Sequence, residues 1–402
     1  MKKSVRVLWG SVAAASALLL ASCSSGTTEA TGASQAPSSS ASASATADPA
    51  VASADPAVAS AEEAVAEASA AVEEFTPPGP ELGDLSSLKG KTVYYVPANY
   101  KIPLFHLVGD AMAEALATAG VDVQVCDGQA SPSSMAGCLT QAIDAKADAV
   151  VSGSIPDDLA SVAFQQVRDA GIPLLYMLVA PAGPGEPDKV AYLTPDNVAI
   201  QAINAKWVIA DSAGKANVLV IKVTDTPATT LWMDEGALAE YEKSCPDCKV
   251  TVIETNTGQL QKLPSLVSSA MVRDPDITHV QAEFDVTVQP TVQGLQSAGK
   301  TDGVKIISGD GTLAVLQMLG EGRFVAGASG VNLDALGWYG ADQVLRMMSG
   351  SPSVQNLAFP YKRLFTAENV DELDLTAEGE SSGSWYGAND YKEGFKQLWG
   401  VS

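Results

Sequence analysis

The sequence predicts an α/β protein made of two doubly wound parallel-sheet lobes joined by three hinge crossovers. Three observations lead there. From Lys91 onward, short apolar runs rich in Val, Ile and Leu alternate with stretches whose apolar residues recur at helical spacing. Strands that read as continuous apolar runs are covered on both faces, as in parallel sheets flanked by helices. About 310 residues keep this rhythm, more than one comfortable core holds, so the chain divides into two lobes.

Taken in order, Thr92-Val93-Tyr94-Tyr95-Val96 is a buried strand of β-branched and aromatic residues. A helix over 104–119 stops at Gly120, a residue suited to a left-handed helix end. There follow a strand at 121–125, a helix at 133–145, a strand at 149–151, a helix at 157–170 ending at Gly171, and strands at 172–179 and 190–193. The second set runs helix 196–212, strand 217–223, helix 228–243, strand 249–254, helix 260–273 and strand 278–283. It closes with helix 286–298, strand 304–308, helix 312–320, strand 324–329 and helix 333–349.

The first eighty residues have a different texture. Lys2, Lys3 and Arg6 precede a short apolar run, Val12 to Leu20, which Leu20-Ala21-Ser22-Cys23 closes. This is the layout of a secretory signal over 1–22, too short to span a bilayer. The last four residues resemble the lipobox of bacterial lipoproteins. That resemblance implies cleavage before Cys23, acylation of Cys23, and a membrane partner reached through the lipid anchor. The protein is then expected on the outer face of the cytoplasmic membrane. Residues 23–80 are Ala, Ser, Pro and Glu-rich with few bulky apolar side chains, which predicts a disordered tether. Within it, Ala47-Asp48-Pro49-Ala50-Val51-Ala52-Ser53 repeats at 54–60; Pro49 and Pro56 oppose a long helix there, while 61–74 suits a short one.

The chain holds 24 basic and 47 acidic residues, net −23. A surface so acidic repels nucleic acid, which is excluded as a partner. Five cysteines leave four besides Cys23, an even number in a compartment where disulfides persist. Cys126 ends a strand and Cys138 lies in the next helix, which suits one bridge. Cys245-Pro246-Asp247-Cys248 ends a helix, the wrong end for a redox thiol, which suits a second. Zinc lacks ligands nearby, since the two histidines, His106 and His279, are distant in sequence.

The folded region resembles the type I periplasmic binding proteins, in the sugar-binding branch that includes ribose- and galactose-binding proteins. The segments that carry the likeness are Val96 to Phe105, Asp148-Ala149-Val150-Val151 with Pro156-Asp157, Ala170-Gly171-Ile172-Pro173, Thr194-Pro195-Asp196-Asn197 and Ile306-Ile307-Ser308-Gly309-Asp310-Gly311. The resemblance implies crossovers near Leu193, Val331 and Pro352. It also implies an N-terminal lobe of 91–193 plus 332–352 and a C-terminal lobe of 194–331 plus the tail 353–402. It further implies a monomer that captures a small-molecule solute between its lobes and delivers it to the transmembrane subunits of an ABC permease, with no cofactor.

Ligands in open α/β sheets bind beyond the carboxyl ends of the strands, which nominates the loops there. The candidate ligand-binding residues are Tyr100, Phe105, Asp225, Trp232, Phe284, Asp285, Asp310 and Asn332. Asp310 matches the family's acceptor of sugar hydroxyls; the same residue type also suits an N-cap for the helix at 312–320. Elsewhere the family pattern is lost. Its Asp-Arg pair falls on Leu178 and Val179, and its second Arg falls near Trp232 or Met233. Missing Arg argues against phosphate and carboxylate ligands. A neutral polyol, a nucleoside-like ring, or a cationic or aromatic solute all remain open.

No His-Glu-x-x-His occurs, and with two histidines a Ser-His-Asp or Cys-His site is hard to assemble, so no enzyme is expected. Two other functions fit the same features: a ligand-sensing surface receptor feeding a membrane kinase, and a surface lipoprotein that binds no solute.

Overall fold

The computed structural model of the protein describes residues 55–401. The signal, Cys23 and the first part of the tether lie outside the described residues.

The described chain opens with helix α1 (Pro56–Ser69). The first lobe then runs β1 (Thr92–Pro97), α2 (Pro103–Thr118), β2 (Asp122–Val125), α3 (Pro132–Asp144), β3 (Ala149–Gly153), α4 (Ser161–Asp169), β4 (Leu174–Met177) and β5 (Val190–Leu193). The second lobe begins with α5 (Asn197–Asp211), β6 (Asn217–Val223), α6 (Pro227–Leu231), α7 (Ala239–Ser244), β7 (Lys249–Thr255) and α8 (Leu263–Arg273). It continues with β8 (His279–Ala282), α9 (Val288–Ser297), β9 (Lys305–Asp310), α10 (Leu313–Gly320) and β10 (Val325–Val331). The remaining elements are α11 (Leu333–Ser349), β11 (Lys362–Thr366), α12 (Ala377–Ser382) and α13 (Tyr391–Trp399).

The expected fold class holds. One sheet has the order β2-β1-β3-β4-β5, all parallel. The other has the order β11-β10-β9-β8-β6-β7, parallel except where β11 pairs antiparallel with β10. The interior strands are buried along their length because helices cover both faces; every residue of β6 is buried. Helix α11 follows the second lobe in sequence but packs on α2 of the first. Gly337 makes that approach possible: a Cβ there would stand 2.7 Å from the carbonyl oxygen of Val108.

The two ends of the described chain depart from expectation. The tether is not disordered throughout, because 56–69 form α1. Pro56 is no obstacle, since it occupies the first helical turn, where its missing N–H costs nothing, and Asp55 accepts from the Ala57 N–H at 2.8 Å. Val58 and Ala61 are buried beside Trp207 and Val208 of α5, so a helix with one Val per heptad needs no partner coil.

The tail also does not stay with the second lobe. β11 adds to that lobe's sheet, but α13 crosses back to α11. Trp399 stacks on Trp338 with ring centres 5.7 Å apart, and its indole N–H donates to Asp342 at 2.9 Å. Between α1 and β1 the chain forms a strap across both lobes. Val72 pairs with Gly387, Phe75 packs on Phe395 at 4.8 Å, and the Leu82 N–H donates to the Leu398 carbonyl.

The single helix expected at 228–243 is instead α6, a π-helical segment over Trp232–Leu238, and α7. Thr226 caps the start through a reciprocal pair with Thr229.

Candidate functional site

The second-lobe site is built on the ends of β6, β8 and β9. Helix α5, beneath them, holds two of these ends with buried amides. Gln201 Nε2 donates to the Glu283 carbonyl at 3.0 Å, and Asn204 Nδ2 donates to the Ser308 carbonyl at 3.2 Å. Gly309 lets the two strand ends close up, since a Cβ there would stand 2.8 Å from the Glu283 carbonyl oxygen.

Asp310 and Asp285 meet at this level. Asp310 has φ 127°, a region where a side chain is strained. Its Oδ2 accepts from the Asp285 N–H at 3.1 Å. Asp285 Oδ2 accepts from the N–H and hydroxyl of Thr312, each at 2.7 Å, and its Oδ1 accepts from Ser308 Oγ. Both carboxyls lie above the usual carboxylate range. Burial is the main cause for each, and the charge of Asp285 adds to it at Asp310. The outer side of Asp310 still meets solvent.

Glu283, one residue from Phe284, is wholly buried. Its Oε2 accepts from the Val223 N–H at 2.6 Å, while Oε1 has no hydrogen-bond partner. Burial pushes its carboxyl up to about 8; Lys222 opposes the shift, and Asp225 and Asp234 reinforce it. Lys222 is itself bound to Asp234 at 2.6 Å. Asp225 accepts from the Thr257 N–H at 3.0 Å and lines an open hollow of about 410 Å³ together with Thr224, Thr230 and Asp234. The rings of Trp232 and Phe284 meet edge to face, 6.3 Å apart. Both are half-buried, so each keeps part of its surface open.

The tail also reaches this site. Glu380 Oε1 accepts from the Leu313 N–H at 2.9 Å. The buried hydroxyl of Tyr386 lies over Gly311 and Gly330; burial pushes its ionisation upward, and the charges of Asp285 and Asp310 add to this.

Of the sequence candidates, Asp225, Trp232, Phe284, Asp285 and Asp310 gather here. One other needs correction. Asn332 is fully buried and caps α11: its Oδ1 accepts from the Ala335 N–H at 2.9 Å and its Nδ2 donates to the Gly383 carbonyl. Its burial closes this amide to a solute. Tyr100 and Phe105 lie on the first lobe, where the sequence places them. Tyr100 packs on His106 at 4.0 Å and donates to Asp110, while Phe105 is buried. Asp285 is present but engaged by Ser308 and Thr312, so it shapes the site and presents no free oxygen.

Sequence reading missed Glu283, Glu380 and Tyr386. Glu283 had a signal, an acidic residue directly after the strand His279-Val280-Gln281-Ala282. The other two had none, because only the path of the tail brings them near. The structure joins Cys126 to Cys138 and Cys245 to Cys248, with Cα atoms 5.6 and 5.3 Å apart. Among the described residues no group of His, Cys, Asp or Glu forms a metal site, and no helix is long and apolar enough to cross a membrane.

With this geometry in place, residues 93–352 match the sequence profile of a family described as the periplasmic binding protein domain. A Rhizobium meliloti protein described as rhizopine-binding is 23% identical over 260 residues, covering 63% of this chain and 82% of that protein. Two solved structures are similar in fold. An ABC sugar transporter subunit from Rhodobacter sphaeroides has TM-score 0.61 and 23% identity, covering 70% of this chain and 100% of that one. A myo-inositol binding protein from Caulobacter, solved with myo-inositol, has TM-score 0.62 and 19% identity, covering 73% and 97%.

Proposed function

The chain belongs to the periplasmic binding protein family, whose members here are sugar-binding solute receptors of ABC transporters, and from that premise we propose that it is an extracytoplasmic lipoprotein that captures a sugar or polyol and delivers it to an ABC import permease. One observation carries the reading: Asp310, at the end of β9, is solvent-exposed and bonded to the Asp285 N–H next to Phe284, whose half-open ring meets that of Trp232. A carboxylate accepts from two hydroxyls at once, and an aromatic face covers the apolar side of a sugar ring. The lipid anchor at Cys23 and the location outside the membrane are part of this proposal and rest on the sequence of the first 23 residues. The role is binding without chemistry.

A thermal-shift screen of the full-length protein against monosaccharides, cyclitols, linear polyols, nucleosides and amino acids tests the capture step. A ligand that binds only the folded state stabilises it by about 2.7 kcal/mol at a hundredfold excess over Kd. A shift confined to sugars or polyols supports the reading, and its absence across both classes refutes it. Radiolabelled palmitate incorporation, lost in Cys23→Ser, tests the anchor.

A further inference from the structure

Two stretches of chain outside 93–352, the span of the family match, run from one lobe to the other. The strap leaves α1 on the second lobe, where the Ser69 carbonyl accepts from Arg363 Nε of β11 at 2.9 Å. It arrives at β1 on the first lobe. On the way the Thr76 carbonyl accepts from the Tyr339 hydroxyl of α11, and the Gly90 N–H donates to the Gly120 carbonyl. The tail makes a second crossing. It leaves β11 on the second lobe, and α13 lands on the first. There Tyr391 donates to Asp334 of α11, and Lys392 is bound to Glu114 of α2 at 2.8 Å.

The two crossings are tied to each other midway. The Val72 N–H donates to the Tyr386 carbonyl at 2.9 Å, and the Ala388 N–H donates to the Val72 carbonyl at 2.7 Å. Gly387, between those two tail residues, has φ 114°, and a Cβ there would collide with the Val72 carbonyl. Phe75 lies over Gly394 of α13, where a Cβ would collide with its ring. Each glycine marks a place where strap and tail touch more closely than a side chain allows. The tail also grips a hinge directly. Asn332 stands at the crossover from β10 to α11; its Nδ2 donates to the Gly383 carbonyl at 3.2 Å, and its N–H donates to the Tyr361 carbonyl at 2.9 Å.

We propose that strap and tail form a brace across the hinge, which holds the two lobes at one angle until the joint between Val72 and Gly387 opens. This goes beyond the capture reading and is independent of which solute is captured. Lobes close on each other when a few crossover residues absorb a change of φ and ψ. Here one such residue is bonded through its backbone and its side chain alike. Each added crossing is fixed to both lobes, so a change of angle strains it. Because the two are bonded to each other, neither slides alone, and the joint between them is where the strain is released. Packed contacts of this kind give way between discrete arrangements instead of stretching.

The distance between nitroxide labels at Val162→Cys in α4 and Val272→Cys in α8, read by pulsed electron–electron resonance, tests the brace. The two positions lie on different lobes and are 73% and 74% exposed, so the labels leave the fold undisturbed. They are carried by the full-length chain with Cys23→Ser, its disulfides oxidised and no solute added. The parent should give one narrow distance distribution. Gly387→Ala should broaden it and shift its centre. Phe75→Ala removes the ring over Gly394 while keeping the tail's backbone, and it serves the same purpose if Gly387→Ala fails to melt cooperatively. A parent already as broad as the variant overturns the brace, and so does a variant with the parent's width and centre. Either result leaves solute capture standing.

Discussion

The backbone N–H of Asp285 donates to Oδ2 of Asp310 at 3.1 Å, tying the end of β8 to the end of β9 through a side chain held in strained backbone. The two acids therefore differ in kind. Asp285 is buried and organises the start of α10 through Thr312, while Asp310 is exposed to solvent.

Asp310→Gly should weaken binding while leaving stability close to the parent's. Glycine relieves the strain at φ 127°, about 1 kcal/mol, and the stranded Asp285 N–H offsets it. Solute binding loses about 1–3 kcal/mol with the carboxylate. Urea denaturation and calorimetry on one preparation measure both, and unchanged affinity refutes the role of Asp310.

Asp285→Ala should act on the scaffold. It strands the N–H and hydroxyl of Thr312 and the hydroxyl of Ser308. The expected loss is about 1–3 kcal/mol in urea denaturation. A variant as stable as the parent contradicts the scaffold role.

Glu283 should leave a mark on the pH dependence of stability. Its folded-state value is about 8, against 4.5 for the free group, and burial is the main cause. The folded protein thus holds the proton more tightly than the unfolded chain. That contribution is fully present below the unfolded value and is lost as pH rises toward 8. Glu283→Gln has no such proton. Denaturation midpoints measured between about pH 5 and 8 should show the parent losing ground to the variant as pH rises. A constant difference means Glu283 is already ionised at the acid end.

The disulfides predict a redox effect. Labelling of the unfolded protein should find no free thiol at Cys126, Cys138, Cys245 or Cys248 until a reductant is added. Breaking Cys126–Cys138, which closes a 12-residue separation, should cost about 3 kcal/mol. An unchanged melting temperature in Cys126→Ser/Cys138→Ser argues that the bridge constrains little.

The two sheets were legible because buried parallel strands announce themselves locally. Val93 to Val96 and Val218 to Ile221 are apolar whatever surrounds them. Asp310 was legible for a similar reason, as an acid directly after a buried strand. What escaped was set by distant contacts. Val58 and Ala61 look like tether residues until Trp207 supplies the surface they cover. Asn332 looked like a ligand, although its spacing before Ala335 is equally that of a helix cap. Tyr386 lies 76 positions beyond Asp310 in the chain, and nothing near it in sequence marks the approach.

The borders of the family match, 93–352, are not the borders of the unit that folds. A fragment trimmed to them loses α1, the strap, β11 and α13 together. It would bare the ring of Trp338 where Trp399 now stacks, uncover Trp207, and turn β10 into an open sheet edge ready to pair with another chain. A piece that keeps α1 and α13 keeps these surfaces covered.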